Sequence, residues 1–226
     1  MIKQDLIERS PVRFFEQTID GGLKAGEFGV LTSKKGLGKT AVLVQIALDM
    51  LLQDKQIVHV SFNQNASYVI TWYEDLFAEM AKKKNLADAD AVKAELICKR
   101  VILNLHQDKD AFSRVAKTLK ALVEGDINTS CVIIDGLSLK DVSAADANVL
   151  KAYAKEAGIV IWASSDCDAE DVVSGLDKEV VDIIDVVCQL KQTADVIDMK
   201  VLKARSNGEL ETHLKLDTKT LLIAEK

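Results

Sequence analysis

The segment Ser33-Lys34-Lys35-Gly36-Leu37-Gly38-Lys39-Thr40 constrains the fold more than any other part of the chain. An apolar run, Phe28-Gly29-Val30-Leu31, precedes it, and a helical pattern from Ala41 to Leu51 follows. Strand, glycine-bearing turn and helix in that order form the context of a phosphate-binding loop. Gly36 and Gly38 let the backbone curl so that several N–H groups face one anion. The N-terminus of the helix adds its partial positive charge at the same point. In such a loop Lys39 neutralises the β- and γ-phosphates and the Thr40 hydroxyl ligates Mg²⁺. Ser33 stands where the pattern G-x-x-x-x-G-K-S/T has its first glycine. A lysine-rich turn before an ordinary helix is the plainer reading of the same residues.

Around this loop the pattern alternates. Ile57–Phe62, Val101–Leu105, Cys131–Asp135 and Ile159–Ala163 are near-continuous apolar runs that read as buried strands. Helical stretches separate them: 67–84, 88–98, 111–124 and 144–157, the last closed by Gly158. Pro11 after Ser10 suits the first turn of a short helix carrying Phe14 and Phe15. Strands alternating with helices predict an α/β fold, a mostly parallel sheet covered on both faces. The tail differs, because Val186–Leu190, Val196–Leu202, Glu211–Leu216 and Leu221–Ala224 are joined by short turns. They predict an antiparallel extension of the same sheet. With 226 residues and no linker-like composition, one domain over residues 1–226 is expected.

A hydrophobic fraction of 48% beside 28% charged residues is that of an ordinary globular chain. No apolar run nears the ~18 residues that span a membrane, and the first residues lack the pattern of a signal peptide. The four cysteines have no C-x-x-C spacing, and Cys131 and Cys188 lie in apolar runs. Reduced core thiols and a cytoplasmic location follow as expectations. A net charge of −6 argues against a surface coated for nucleic acid. Asp166, Asp168, Glu170, Asp171, Asp177, Glu179, Asp182 and Asp185, with only Lys178 against them, read as a solvated acidic face. His59, His106 and His213 form no metal-ligand spacing. Trp72 and Tyr73 could stack on a base, but beside Leu76 and Phe77 they read first as packing.

Asp135, ending a buried strand, fits the carboxylate that a nucleoside triphosphatase needs for its Mg²⁺ shell; a mere turn cap is the lesser alternative. With this residue in place the order of motifs resembles the RecA-like P-loop ATPase superfamily, in the branch of KaiC and the DnaB-type replicative helicases. The resemblance covers residues 14–224. Gly21-Gly22-Leu23-Lys24-Ala25-Gly26-Glu27 is similar to that branch's lead-in, and Asp135 matches the Walker B aspartate. In helicase relatives the loop often starts with a small residue other than glycine, which suits Ser33. Lys203-Ala204-Arg205-Ser206-Asn207-Gly208 resembles the late K-x-R-N-G segment with one extra residue. The resemblance implies that Lys203 and Arg205 reach a neighbouring subunit's γ-phosphate in a ring or filament. An exposed basic hairpin is the alternative.

Two departures stand out. Where the family has a water-activating glutamate, this chain has Ser61-Phe62-Asn63-Gln64-Asn65. Asn63 can hydrogen-bond a water but cannot take its proton at neutral pH. Gln64 could orient a water, as a glutamine does in some GTPases, whereas Glu74 and Asp75 lie further along the next helix. The polar sensor position falls at Ser164-Ser165. The loops that grip single-stranded DNA in RecA-like relatives correspond to Gly136–Asp141, with one lysine, and to the acidic stretch from Asp166. That charge argues against direct DNA binding. Lys82-Lys83-Lys84 reads as a helix C-terminus complementing the dipole.

The leading expectation is therefore an ATP- and Mg²⁺-binding protein that binds ATP or ADP with weak or absent hydrolysis. Nucleotide would control a conformation, a homo-oligomer or a protein partner. An active Mg-dependent ATPase of signalling or motor type, and a non-enzymatic interaction protein on the same fold, are the alternatives.

Overall fold

The computed structural model describes residues 2–167, 177–193, 196–205 and 207–225. At its centre lies β1 (Phe28–Ser33), buried along its whole length. It pairs in parallel with β5 (Val160–Asp166) on one side and with β6 (Val186–Thr193) on the other. With β2 (Ile57–Ser61), β3 (Arg100–Asn104) and β4 (Cys131–Asp135), the parallel part runs β3-β2-β4-β5-β1-β6. β7 (Val196–Ala204), β8 (Leu210–Leu216) and β9 (Ile223–Glu225) continue the sheet antiparallel, giving nine strands. This is the α/β arrangement with a C-terminal antiparallel part that the pattern of runs predicts.

The two-residue period of each strand divides the core between two faces. Leu31, Ile57, Ile133 and Trp162 belong to one apolar cluster, and Val30, Val58, Ile134 and Ile161 to the other. The first face is covered by α1 (Lys3–Glu8), α2 (Pro11–Thr18), α3 (Lys39–Leu52), α4 (Ala66–Lys84) and α5 (Ala89–Cys98). The second is covered by α6 (Ala111–Glu124), α7 (Ala144–Ala157) and α8 (Lys178–Ile183).

Several details hold these layers in place. A Cβ at Gly29 would come within 2.6 Å of the Trp162 ring, so the missing side chain is what lets the indole lie across β1. Asp146, buried in the first turn of α7, accepts from the amides of Phe112 and Ser113, both at 2.8 Å, and so satisfies the N-terminus of α6. Gln45, buried in α3, donates to the Leu221 carbonyl at 2.9 Å and accepts from the Ile223 amide at 2.8 Å. One amide thus ties the last strand to the helix that follows the phosphate loop.

Three elements lie outside the sequence-based expectation: α1, α8 and a single 3₁₀ turn at Leu139–Asp141. All three are six residues or shorter, too brief to show a helical period. Several strands also differ in length from the apolar runs that announce them. β5 continues past Ala163 through the polar residues Ser164, Ser165 and Asp166, because strand pairing with β1 outlasts the apolar run. The Trp72/Tyr73 expectation splits: Tyr73 is 2% exposed and packs in the core, while Trp72 is only half-buried.

Tyr73 stands against His59, whose Nδ1 lies 3.1 Å from the Tyr73 hydroxyl. Burial pushes the phenol far above its usual range, so the hydroxyl stays protonated and donates, and Nδ1 accepts. Nε2 then carries the proton and has no hydrogen-bond partner among the described residues. Burial also holds His59 down to about 4; Asp135 acts in the opposite direction and Arg100 in the same one. Below about pH 6.5 the unfolded chain binds a proton that the folded chain refuses until about pH 4. The stability contribution is complete above that window and is lost as pH falls through it, by about 3 kcal/mol in all. Urea titrations at stepped pH should show this loss in the wild type, and the difference between wild type and His59→Gln should isolate it. An identical pH dependence in the two proteins would remove His59 as its source.

Candidate functional site

The site forms where the C-terminal ends of β1, β4 and β5 meet the start of α3, the edge at which open parallel sheets bind ligands. Ser33, Lys34 and Lys35 lead out of β1, and Gly36 and Gly38 take φ of 84° and 91°, conformations natural to glycine. No atom lies within 4 Å of a Cβ built on Gly36, so this part of the loop is open. A Cβ on Gly38 would collide with Leu216 Cδ2, so β8 covers the loop there. Leu37 is half-buried between the two glycines. Gly38 is the N-cap of α3, and the helix begins at Lys39, two residues earlier than the sequence pattern indicates.

Thr40, in the first turn, donates its hydroxyl to Asp135 Oδ2 at 2.7 Å. Asp135 ends β4, is 3% exposed, and also accepts from Ser164 Oγ at 2.5 Å. Ser164 Oγ in turn accepts from the Gly136 amide at 3.0 Å. A chain of four residues thus joins α3, β4 and β5 at the floor of one pocket. Lys39 is buried, with Nζ 3.2 Å from the Ser33 carbonyl, 3.1 Å from Ser33 Oγ and 3.2 Å from the Lys34 carbonyl. Its fourth neighbour is Asp166 Oδ1, at 2.6 Å.

Lys35, Gly36, Gly38, Lys39, Thr40, Asn63, Gln64, Tyr68, Trp72, Asp135 and Ser164 all face this pocket. Asn63 lies on Gly136, where a Cβ would collide with its side-chain amide. The main-chain N–H of Gln64 donates to Ser61 Oγ at 3.1 Å, and its main-chain carbonyl accepts from Asn104 Nδ2 at 2.5 Å. Tyr68 and Trp72 meet edge to face with centroids 6.3 Å apart, and Tyr68 is 47% exposed. Glu74 is turned away toward Lys93 at 3.2 Å, and Asp75 is exposed on α4.

Lys203 and Arg205 are placed elsewhere. Lys203 donates to the carbonyls of Val181 and Ile184 at 2.9 and 2.6 Å. Arg205 forms a two-pronged pair with Glu27, at 2.7 and 2.8 Å, and donates to the Ile19 and Gly22 carbonyls, both at 2.7 Å. Partial burial acts to raise the Glu27 pKa, but the guanidinium and the Lys24 amide outweigh it and hold the carboxyl below its usual range. Within this chain the two cations are therefore neither an open basic hairpin nor reaching outward. Ser206, between them and Asn207, lies outside the described residues, as do Asp168, Glu170 and Asp171 of the acidic stretch. The Gly136–Asp141 loop folds down on the core, with Leu137 and Leu139 buried and Ser138 held by two bonds to Gln107.

A family model described as an AAA domain matches residues 7–167. The chain belongs to this AAA-domain family. Among solved structures, the AAA-domain chain is similar to an ATPase domain at 15% identity, with a TM-score of 0.70 over 95% of this chain and 90% of that one. At that identity the likeness is one of fold, and it is the RecA-like P-loop fold that the motifs imply. No curated protein matches the sequence. The family implies a nucleotide and usually Mg²⁺. Among the described residues no group of three or more His, Cys, Asp or Glu side chains could hold a metal.

Sequence reasoning missed Asp166, Tyr68 and Leu216. Asp166 sits in a run of acids that reads as solvent-facing, and its only signal is its place at the end of the strand beside the loop. Arg205→Ala should destabilise the AAA-domain chain by about 1–3 kcal/mol, by removing the guanidinium from Glu27 and leaving two carbonyls without its bonds. Arg205→Lys should recover little, since a single ammonium cannot reproduce the fork. Urea denaturation measures both, and wild-type stability in the alanine variant would show that these bonds carry no weight.

Proposed function

We propose that this AAA-domain chain is a nucleotide-binding domain that holds Mg-ATP or Mg-ADP in the loop Ser33–Thr40 and hydrolyses ATP weakly or not at all. The carrying observation is the convergence of Lys39, Thr40 and Asp135 on one pocket whose β2 side offers Asn63 and no glutamate. The open amides around Gly36 and the N-terminus of α3 suit the phosphates. Thr40 and Asp135, with oxygens 2.7 Å apart, suit Mg²⁺ coordinated directly or through water. Tyr68 and Trp72 offer an aromatic wall to the bound molecule. Asn63, set against Gly136, can hold a water by hydrogen bonding but cannot accept its proton.

Nucleotide then acts as a control on conformation or on assembly in a KaiC-like manner, in a homo-oligomer or with a protein partner. In a ring or filament Lys203 and Arg205 reach a neighbour only after their own bonds open. The folded-down Gly136–Asp141 loop supports a role without direct nucleic-acid binding. The buried thiols Cys131 and Cys188, both pushed up to about 12 by burial, suit a reducing, cytoplasmic setting. No helix among the described residues is long and apolar enough to cross a membrane. A second reading, an active Mg-dependent ATPase, is favoured by Gln64, which lines the same pocket.

Calorimetry and phosphate release on one preparation test the proposal. Wild type should bind Mg-ATP more tightly than ~1 mM, and Lys39→Ala should lose at least about tenfold. Turnover should fall well below the ordinary ~1–10³ s⁻¹ and rise in Asn63→Glu. Equal binding by Lys39→Ala would end the loop assignment, and ordinary turnover in the wild type would end the weak-hydrolysis clause.

A further inference from the structure

The ammonium of Lys39 already has an anion. Three loop oxygens, the Ser33 carbonyl and hydroxyl and the Lys34 carbonyl, lie 3.1–3.2 Å from Nζ. The closest contact is the Asp166 carboxylate at 2.6 Å. Asp166 faces the pocket together with Asn63, Gln64, Asp135 and Ser164. Its main chain is fixed, because Ser33 and Asp166 are register partners of β1 and β5 and the Cys167 amide donates to the Ser33 carbonyl at 2.9 Å. Its side chain, 58% exposed, has room to turn into solvent.

Resting on the nucleotide-binding reading, we propose that Asp166 is a specificity-determining residue that favours a nucleoside diphosphate over a triphosphate. In a phosphate loop the backbone amides cradle the α- and β-phosphates, and the lysine reaches the β- and γ-phosphates. The carboxylate stands against Lys39 in the pocket that Asp135 and Ser164 also line, and so holds the ammonium that a terminal phosphate would need. A diphosphate draws on Lys39 through its β-phosphate alone and leaves room for the carboxylate beside the ammonium. A γ-phosphate competes with the carboxylate for the same ammonium, and the two anions repel until Asp166 turns outward. The residue thereby sets the ratio of ATP to ADP affinity without touching the base or sugar.

Calorimetry of the full chain with Mg-ADP and with Mg-ATP, on wild type and Asp166→Asn, tests this. The asparagine should strengthen Mg-ATP binding about tenfold, equal to about 1.4 kcal/mol, and Mg-ADP binding by less than about threefold. Asp166→Ala should shift the ratio in the same direction, with thermal melts verifying that both variants fold. An unchanged ratio with both nucleotides bound overturns the proposal alone and leaves the nucleotide reading standing. Binding of neither nucleotide by any of the proteins overturns both. Lost phosphate release in Asp166→Asn with unchanged affinities would also overturn it, since the carboxylate would then serve the attacking water.

Discussion

The hydrogen bond from Thr40 to Asp135 joins two segments 95 residues apart in sequence, and the geometry of the pocket depends on it. It can form only because the parallel order puts the ends of β1, β5 and β4 side by side, with α3 rising from the loop after β1. Ser164 completes the link from β5 by holding the other oxygen of Asp135. The floor of the site is therefore a property of sheet order rather than of any loop. Asp135 comes from the end of β4 and Ser164 from the end of β5, and burial in the sheet fixes where both side chains stand.

Much of this could be read in the residues themselves. The strand runs, the loop and Asp135 each carry a local signal, either an apolar run of strand length or glycines before Lys-Thr, and the structure has them where those signals lie. Asn63 was legible as a departure because a motif supplied the expectation for its position. Asp166 was not, since one carboxylate among many looks like solvated surface until the β1–β5 register puts it opposite Ser33. The partners of Lys203 and Arg205 were hidden for a similar reason. Glu27, Ile19 and Gly22 precede Arg205 by more than 170 residues, and only the folded sheet brings them together.

Arg205 also shows how one residue type can serve two different ends. A guanidinium can clamp a carboxylate and two carbonyls at once, which makes it a good lock between distant segments. The same fork recognises phosphate. In this chain the lock joins the segment before β1 to the turn after β7, so the lead-in to the loop and the antiparallel part are fastened to one another.

The Gln45 clamp extends that fastening to the other end of the loop. Its amide holds Leu221 and Ile223 against α3, while Leu216 lies over Gly38. The last strands are thus geared to the helix whose first turn meets the phosphates. Gln45 stands less than about two turns from the start of α3, so the far edge of the sheet is tied close to the end of the helix that meets the loop. That edge, β9, has an unpaired side among the described strands. The phosphate end of α3 and that edge of the sheet are therefore held by one helix, through a single buried glutamine.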